Sequence, residues 1–318
     1  MIISAVIPLH NKANTIARSL LSVLQQSRHP DFLIVVDDAS TDNSVEACKA
    51  TLAASTTEID CRVISIPHAG VSVARNTGAD AVESDLICFL DADDVWLPNH
   101  LDEIERLHEM VPDAGILSTR SSWSTGDGRW SPATTSLVQG FCGRVPNGLA
   151  AYRAGYGILH TSSVAISRDA WRRSGGFLKG ARKSQDIQLW LRLLLQETFA
   201  HSDKCTAVRH DEASGVGLRS GAVPAHFSFF LESSEGRPYL ANCDLMRFLA
   251  TNLAVQIIAH RLQNVEEDAA VAKELLKLSR SLPLAGRLKA MMCAKLPLFV
   301  VEYIVGQRKK ARSRSAAY

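Results

Sequence analysis

The chain has 318 residues, 46% of them hydrophobic and 21% charged, with a formal net charge of +2. That length holds one large domain or two ordinary ones, and the balance is that of a globular protein with a sizeable core. Bulk charge argues neither for nor against nucleic acid, and no such partner is expected.

Residues 2–7 are apolar and rich in β-branched side chains, and Pro8 ends the run, so a buried first strand is expected. Residues 11–14 form a polar turn. Asn14 or Thr15 then caps a helix whose Ile16, Leu20, Leu21, Val23 and Leu24 recur at helical spacing. Residues 33–36 are a second buried strand that runs straight into Asp37 and Asp38. A turn over residues 39–44 precedes a helix from Val45, residues 62–66 form a third strand, and residues 71–82 a third helix. Leu86-Ile87-Cys88-Phe89-Leu90 reads as a fourth strand buried on both faces, and it delivers Asp91, Asp93 and Asp94. The alternation implies a parallel sheet with right-handed crossovers and helices on both faces.

Two strands thus carry acids to one sheet edge, the edge where ligands of open α/β sheets sit. In an extended segment Asp91 and Asp93 point the same way, and two like charges held together call for a cation between them. Neither Gly-x-Gly-x-x-Gly nor a Gly-x-x-x-x-Gly-Lys-Ser/Thr loop follows the first strand, so a bound diphosphate lacks a glycine cradle. A bridging Mg²⁺ or Mn²⁺ would neutralise it instead.

Further on, residues 98–111 form an amphipathic helix with Leu101, Ile104, Leu107 and Val111 on one face, and residues 114–119 a strand. Residues 120–146 read as a long irregular loop whose Trp123, Trp130 and Phe141 either face a sugar or pin the loop to the core. Residues 160–166 alternate as a strand, with His160 a core or edge histidine. Asp186 opens a helix with Ile187, Trp190, Leu191 and Leu194 on its apolar face. Val208-Arg209-His210 reads as a surface loop. Residues 240–262, 266–282 and 284–306 have helical spacing. Residues 296–305 are apolar except Glu302, and Arg308, Lys309, Lys310, Arg312 and Arg314 follow. Such a tail either lies on an anionic membrane surface or solubilises the chain. The seven cysteines are odd in number and form no Cys-x-x-Cys, which fits reduced thiols in a cytosolic protein. The apolar run at the N-terminus is too short for a signal peptide, and no run of about 18 apolar residues exists to span a membrane.

Four stretches, in this order and spacing, carry a family resemblance: Val6-Ile7-Pro8-Leu9-His10-Asn11-Lys12, Val35-Val36-Asp37-Asp38-Ala39-Ser40-Thr41-Asp42, Ala74-Arg75-Asn76-Thr77-Gly78 and Phe89-Leu90-Asp91-Ala92-Asp93-Asp94. Gly175-Gly176-Phe177 and Gln185-Asp186-Ile187-Gln188-Leu189-Trp190-Leu191-Arg192 add to it. Together they resemble an inverting family-2 glycosyltransferase of the GT-A fold. The resemblance implies an α/β, Rossmann-like, mostly parallel sheet flanked by helices, with a helical C-terminal extension.

It also implies roles. Asp38 matches the carboxylate that meets the donor nucleobase, with Pro8 and His10 on the loop against that base. His10 stands where the family often has an aromatic residue. Asp91 matches the residue near ribose and metal, and Asp93 the direct ligand of a divalent Mn²⁺ or Mg²⁺. Arg75 resembles a basic residue near the nucleotide, or serves a structural ion pair. Asp186 matches the catalytic base, and Gly176, Gln185 and Trp190 lie on the acceptor side. Gln185 replaces the family's usual Glu. The implied organisation is a catalytic domain over residues 1–215 (donor half 1–120, acceptor half 121–215) and a helical region with a basic tail over residues 216–318. The implied partners are a nucleoside-diphosphate sugar, with a uridine diphosphate carrier as default, and a glycan or lipid-linked acceptor. The implied place is the cytoplasm, peripheral at the inner face of the membrane. The competing expectation is a catalytically degenerate module that binds glycan or a protein.

Overall fold

A computed structural model describes residues 1–124, 129–210, 222–263 and 266–295. The apolar run over residues 296–305 and the basic residues 308–314 lie outside them. The chain forms two compact units: Met1–Gly180 with Asp186–Val216, and Ala181–Gln185 with Gly217–Tyr318.

The first unit opens with alternating elements: β1 (Ile3–Leu9), α1 (Ile16–Leu24), β2 (Phe32–Asp38), α2 (Ser44–Ala53), β3 (Asp60–Ile66), α3 (Val71–Asp80) and β4 (Leu86–Phe89). It continues with β5 (Val95–Trp96), α4 (His100–Met110), β6 (Ala114–Ser124), β7 (Trp130–Pro132), β8 (Cys142–Arg144), α5 (Gly148–Ala154), β9 (Val164–Ser167), α6 (Arg168–Ser174), α7 (Gln185–Gln196) and β10 (Thr198–His210). The strands run in the order β3-β2-β1-β4-β9-β6-β10-β5, with β7 on β6 and β8 on β10. Neighbours from β3 to β4 are parallel, and β9 enters antiparallel between β4 and β6.

β1 is buried along its whole length because both faces are covered. Ile3, Ala5, Ile7 and Leu9 pack with α1 and α4, while Ile34, Val36 and Ala74 form the core on the opposite face. Pro8 does not end β1. It pairs with Val36 of β2 beyond the last β4 partner, Val6, where the missing N–H breaks no β4 ladder. The stretch expected to be an irregular loop contains β7 and β8, and β6 extends to Ser124.

Gly78 sets how closely α3 lies on the sheet. A Cβ there would come within 2.4 Å of Val6 Cγ1 and 3.1 Å of Val36 Cγ2. In an open helix Gly→Ala gains about 1 kcal/mol of propensity. Here both neighbours are stiff strand valines, and overpacking costs about 1–3 kcal/mol. Gly78→Ala is therefore expected to lower the urea midpoint; a rise would show that α3 moves freely off the sheet.

Among the described residues the second unit holds four α-helices, α8 (Ala225–Glu232), α9 (Cys243–Gln263), α10 (Glu266–Leu278) and α11 (Leu284–Lys295). Phe227, Phe230, Leu245, Phe248, Leu249, Leu253 and Leu275 are buried in it. Among the described residues no helix is long and apolar enough to cross a membrane.

Candidate active site

The C-terminal ends of β1, β2 and β4 bring the expected polar residues to one edge. Pro8 is buried within β1. Asp38 closes β2 at 3% exposure, and its two carboxylate oxygens accept the backbone N–H groups of Ala69 and Gly70 at 2.6 and 2.9 Å. It thereby ties down the loop that enters α3. His10, just past β1, donates Nδ1–H to the Asp38 carbonyl at 2.7 Å. His68, which sequence reasoning did not single out, tilts against His10 with ring centroids 4.7 Å apart.

Arg75 lies buried on α3. Its Nη2 donates to Asp91 at 2.5 Å, and its guanidinium sits 5.0 Å over the Phe177 ring. Nε and Nη1 are buried with no hydrogen-bond partner. Such donors are costly to leave unpaired, and an anionic ligand would satisfy them.

The acidic segment departs from the extended geometry expected of it. Asp94 N–H donates to the Asp91 carbonyl at 3.0 Å, so the chain turns immediately after the strand. The turn brings Asp91 and Asp94 together with His160, with one ligand atom of each within 4.8 Å of the others. Asp93 points elsewhere, into an ion pair with Lys12 at 2.6 Å. Burial opposes ionisation of Asp91, but the nearby Arg75, His160 and Arg209 outweigh it and hold the carboxyl below its ordinary value. Burial and the charge of Asp91 push Asp94 up to about 7, against hydrogen bonds from Ser162 Oγ (2.5 Å) and His210 N–H (3.0 Å). Residues 208–210 are therefore not a surface loop. They end β10 in the sheet, and Arg209 stacks 3.4 Å over the ring centroid of Trp123.

Asp186 stands in the first turn of α7. Burial raises its carboxyl above the ordinary value, and the charges of Arg75 and Asp91 act on it. The Gly175-Gly176-Phe177 turn is latched by Asn76, which exchanges two 2.9 Å hydrogen bonds with the Phe177 backbone. Gly176 has φ +75°, and a Cβ there would strike Asn76 and Trp171. Its carbonyl accepts from Arg192 at 2.5 Å. Trp190 is 1% exposed and packs edge-on against Phe177, so it braces the site from the core and presents no surface to an acceptor. Gln185 opens α7 and is half-buried.

Two further histidines serve the core. His100 stacks on Trp96 and meets Thr206 Oγ1 at 2.7 Å, and burial lowers its pKa to about 3. His201 meets Ser118 Oγ at 2.8 Å and is lowered to about 4, again chiefly by burial. Both values fall below the unfolded one of about 6.5. Their contribution to stability is thus whole above pH 6.5 and is lost as pH falls toward 4. Each removes about 1.4 kcal/mol per pH unit in that window, while Asp94, shifted up, works the other way below pH 7. A net fall in urea midpoint between pH 7 and 5 is expected, shallower in His100→Gln; an identical slope in His100→Gln would mean that the buried His100 imidazole is charged in the folded chain.

A divalent cation fits the acidic turn. Lys12 already places a cation on Asp93, and Arg75, His160 and Arg209 hold Asp91 below its ordinary pKa and ionised. Carboxylate oxygens suit Mg²⁺ or Mn²⁺. Asp94 is the poorer ligand, since burial and the charge of Asp91 oppose its ionisation.

An α/β sheet with acids at its switch edge, extended by an antiparallel half, is the GT-A architecture of sugar-nucleotide transferases. S. aureus TarS (residues 1–349, bound to UDP-GlcNAc) shares it, with a TM-score of 0.71 at 17% identity, over 96% of this chain and 92% of that one. The chain belongs to glycosyl transferase family 2, whose model matches residues 4–170. It is similar to glycosyltransferase GlyA of Streptococcus pneumoniae serotype 4, with 33% identity over 111 residues, 34% of this chain and 15% of that protein. It is also similar to WfgD of Escherichia coli, a UDP-Glc:alpha-D-GlcNAc-diphosphoundecaprenol beta-1,3-glucosyltransferase, with 32% identity over 105 residues, 32% of this chain and 38% of WfgD. The matches span well under two thirds of these relatives' lengths.

Proposed function

We propose that this chain moves a sugar from a nucleoside-diphosphate sugar, with uridine diphosphate as carrier, to a hydroxyl of a glycan or lipid-linked acceptor. The transfer inverts the anomeric carbon and serves the making of cell-surface polysaccharide or glycoconjugate. The observation that carries this reading is the convergence of Asp186, Arg75 and Asp91: a carboxyl with a raised pKa, a buried cation with unpaired donors, and an ionised acid. UDP-GlcNAc in TarS and the diphosphoundecaprenol acceptor in the name of WfgD agree with the donor and acceptor classes.

Asp186 takes the proton from the acceptor hydroxyl as that oxygen attacks. Arg75 meets the diphosphate with Nε and Nη1, and Asn76 and Arg192 hold the Gly176 turn in place, so the reactants meet in line. Asp93, with Asp91, would hold a divalent cation, which offsets charge on the departing nucleoside diphosphate when bound. One displacement needs no nucleophile. The basic residues 308–314 bring the chain to the anionic inner face of the membrane, where a lipid-linked acceptor lies.

The test is thermal stabilisation by a panel of nucleoside diphosphates, each with and without Mn²⁺. A ligand at a hundred times its dissociation constant stabilises by about 2.7 kcal/mol. UDP with Mn²⁺ is expected to give the largest shift; no shift with any base would leave the degenerate-module alternative.

A further inference from the structure

A second group of ligand atoms stands apart from the acidic turn. His10, Asp38 and His68, from the ends of β1, β2 and β3, bring one ring nitrogen each and a carboxylate oxygen within 4.8 Å of one another. We infer that these three residues form a site for a borderline divalent cation of the Zn²⁺ class, and that metal bound there excludes the donor base.

The chemistry is that of a built ligand set. Asp38 is buried and its carboxylate is oriented by the N–H groups of Ala69 and Gly70. His10 donates Nδ1–H to the Asp38 carbonyl at 2.7 Å, so Nε2 carries the lone pair, and a metal there would displace only the long 3.4 Å approach of the Asn11 Nδ2 amide. His68 Nδ1 lies 3.2 Å from the same carbonyl and 3.2 Å from Asp38 Oδ2. A ring held through one nitrogen by a backbone carbonyl presents the other for coordination. His68 is 64% exposed, so a small rotation of its ring closes the span to metal-ligand distance and leaves open positions for water. The backbone is preset: Asn11 and Ala39, directly after His10 and Asp38, hold φ values of 51° and 54°. An alanine in that region stores strain, which is characteristic of a position fixed for function. Two imidazoles with one carboxylate select zinc-like ions, whereas Mg²⁺ and Mn²⁺ favour oxygen-rich sets such as Asp91 and Asp93.

The blocking consequence rests on the reading of Asp38 and His10 as the base-binding edge; the metal site does not. The test is calorimetric titration of the full chain with Zn²⁺ alone, then UDP titration with and without Zn²⁺. Wild-type chain is expected to bind Zn²⁺ at least about tenfold more tightly than His10→Gln or His68→Gln, with melting temperatures unchanged to show that the variants fold. Equal Zn²⁺ affinity in wild type and both variants overturns the site. Mutual exclusion of UDP and Zn²⁺, relieved in His68→Gln, supports the blocking role. Independent binding of the two overturns that role, whereas absence of UDP binding in the metal-free wild type overturns the reading of the base edge.

Discussion

Asp186→Asn is expected to lower turnover by about 10²–10⁴-fold, the range a positioned general base contributes, while nucleoside diphosphate binding stays within a few-fold of wild type. The substitution keeps the shape of the side chain and its acceptance of the Ile187 N–H (2.8 Å), so α7 has no reason to shift. What it removes is the capacity to take a proton. The pH profile adds a second, independent sign. Burial raises the Asp186 carboxyl, against Arg75 and the Ile187 N–H. A base works only when deprotonated, so the acid limb of kcat is expected above the ordinary carboxylate range of about 4 and rises with pH through the shifted value. Turnover that survives in Asp186→Asn with its acid limb intact would assign the base elsewhere. A loss of both turnover and donor binding would place Asp186 in donor recognition.

The expected parallel half was legible because its strands are buried on both faces and so appear as unbroken apolar runs. Val6, Ile34 and Phe89 have no solvent side to alternate with. The short strands β7 and β8 were not legible. Three residues each, within Ser-, Thr- and Gly-rich sequence, they exist through pairing with long β6 and β10, a tertiary effect that no local pattern carries. The same holds for Val208-Arg209-His210, whose place beside Asp94 depends on β10 running next to β6. In the candidate site, Asp38, Arg75, Asp91 and Asp186 stand in stretches that carry the family resemblance. His68 stands in none of them, and Lys12 ends the first but its partner is not legible there, because Asp38 and Asp93 lie 30 and 81 positions away from them. Trp190 shows the limit of motif transfer: its helix belongs to the site, but its own ring faces the core.

The acidic turn supplies the remaining large effect, because its three carboxylates are expected to behave differently when each is made an amide. Asp93→Asn is expected to abolish the Mn²⁺-dependent part of UDP stabilisation, up to about 2.7 kcal/mol at a hundred times the dissociation constant, a shift of about 5–10 °C at about 2–4 °C per kcal/mol. Asp93 loses the charge that now attracts Lys12, and a hard cation loses its ligand. Asp91→Asn is expected to lose metal dependence as well and to lower the melting temperature without ligand, since it also leaves the buried Arg75 guanidinium without its counter-charge. Asp94→Asn should retain metal dependence. Burial and the charge of Asp91 already push that carboxyl up to about 7, toward its neutral form, and an amide oxygen can still accept the His210 N–H while its NH₂ faces the Ser162 hydroxyl. Removing Asp94's charge also relieves its repulsion with Asp91, so the variant is expected to be at least as stable as wild type at pH 8. If instead Asp94→Asn loses the Mn²⁺ response and Asp93→Asn keeps it, the cation belongs to the Asp91, Asp94 and His160 cluster, and Lys12–Asp93 is an ion pair that braces the loop after β1.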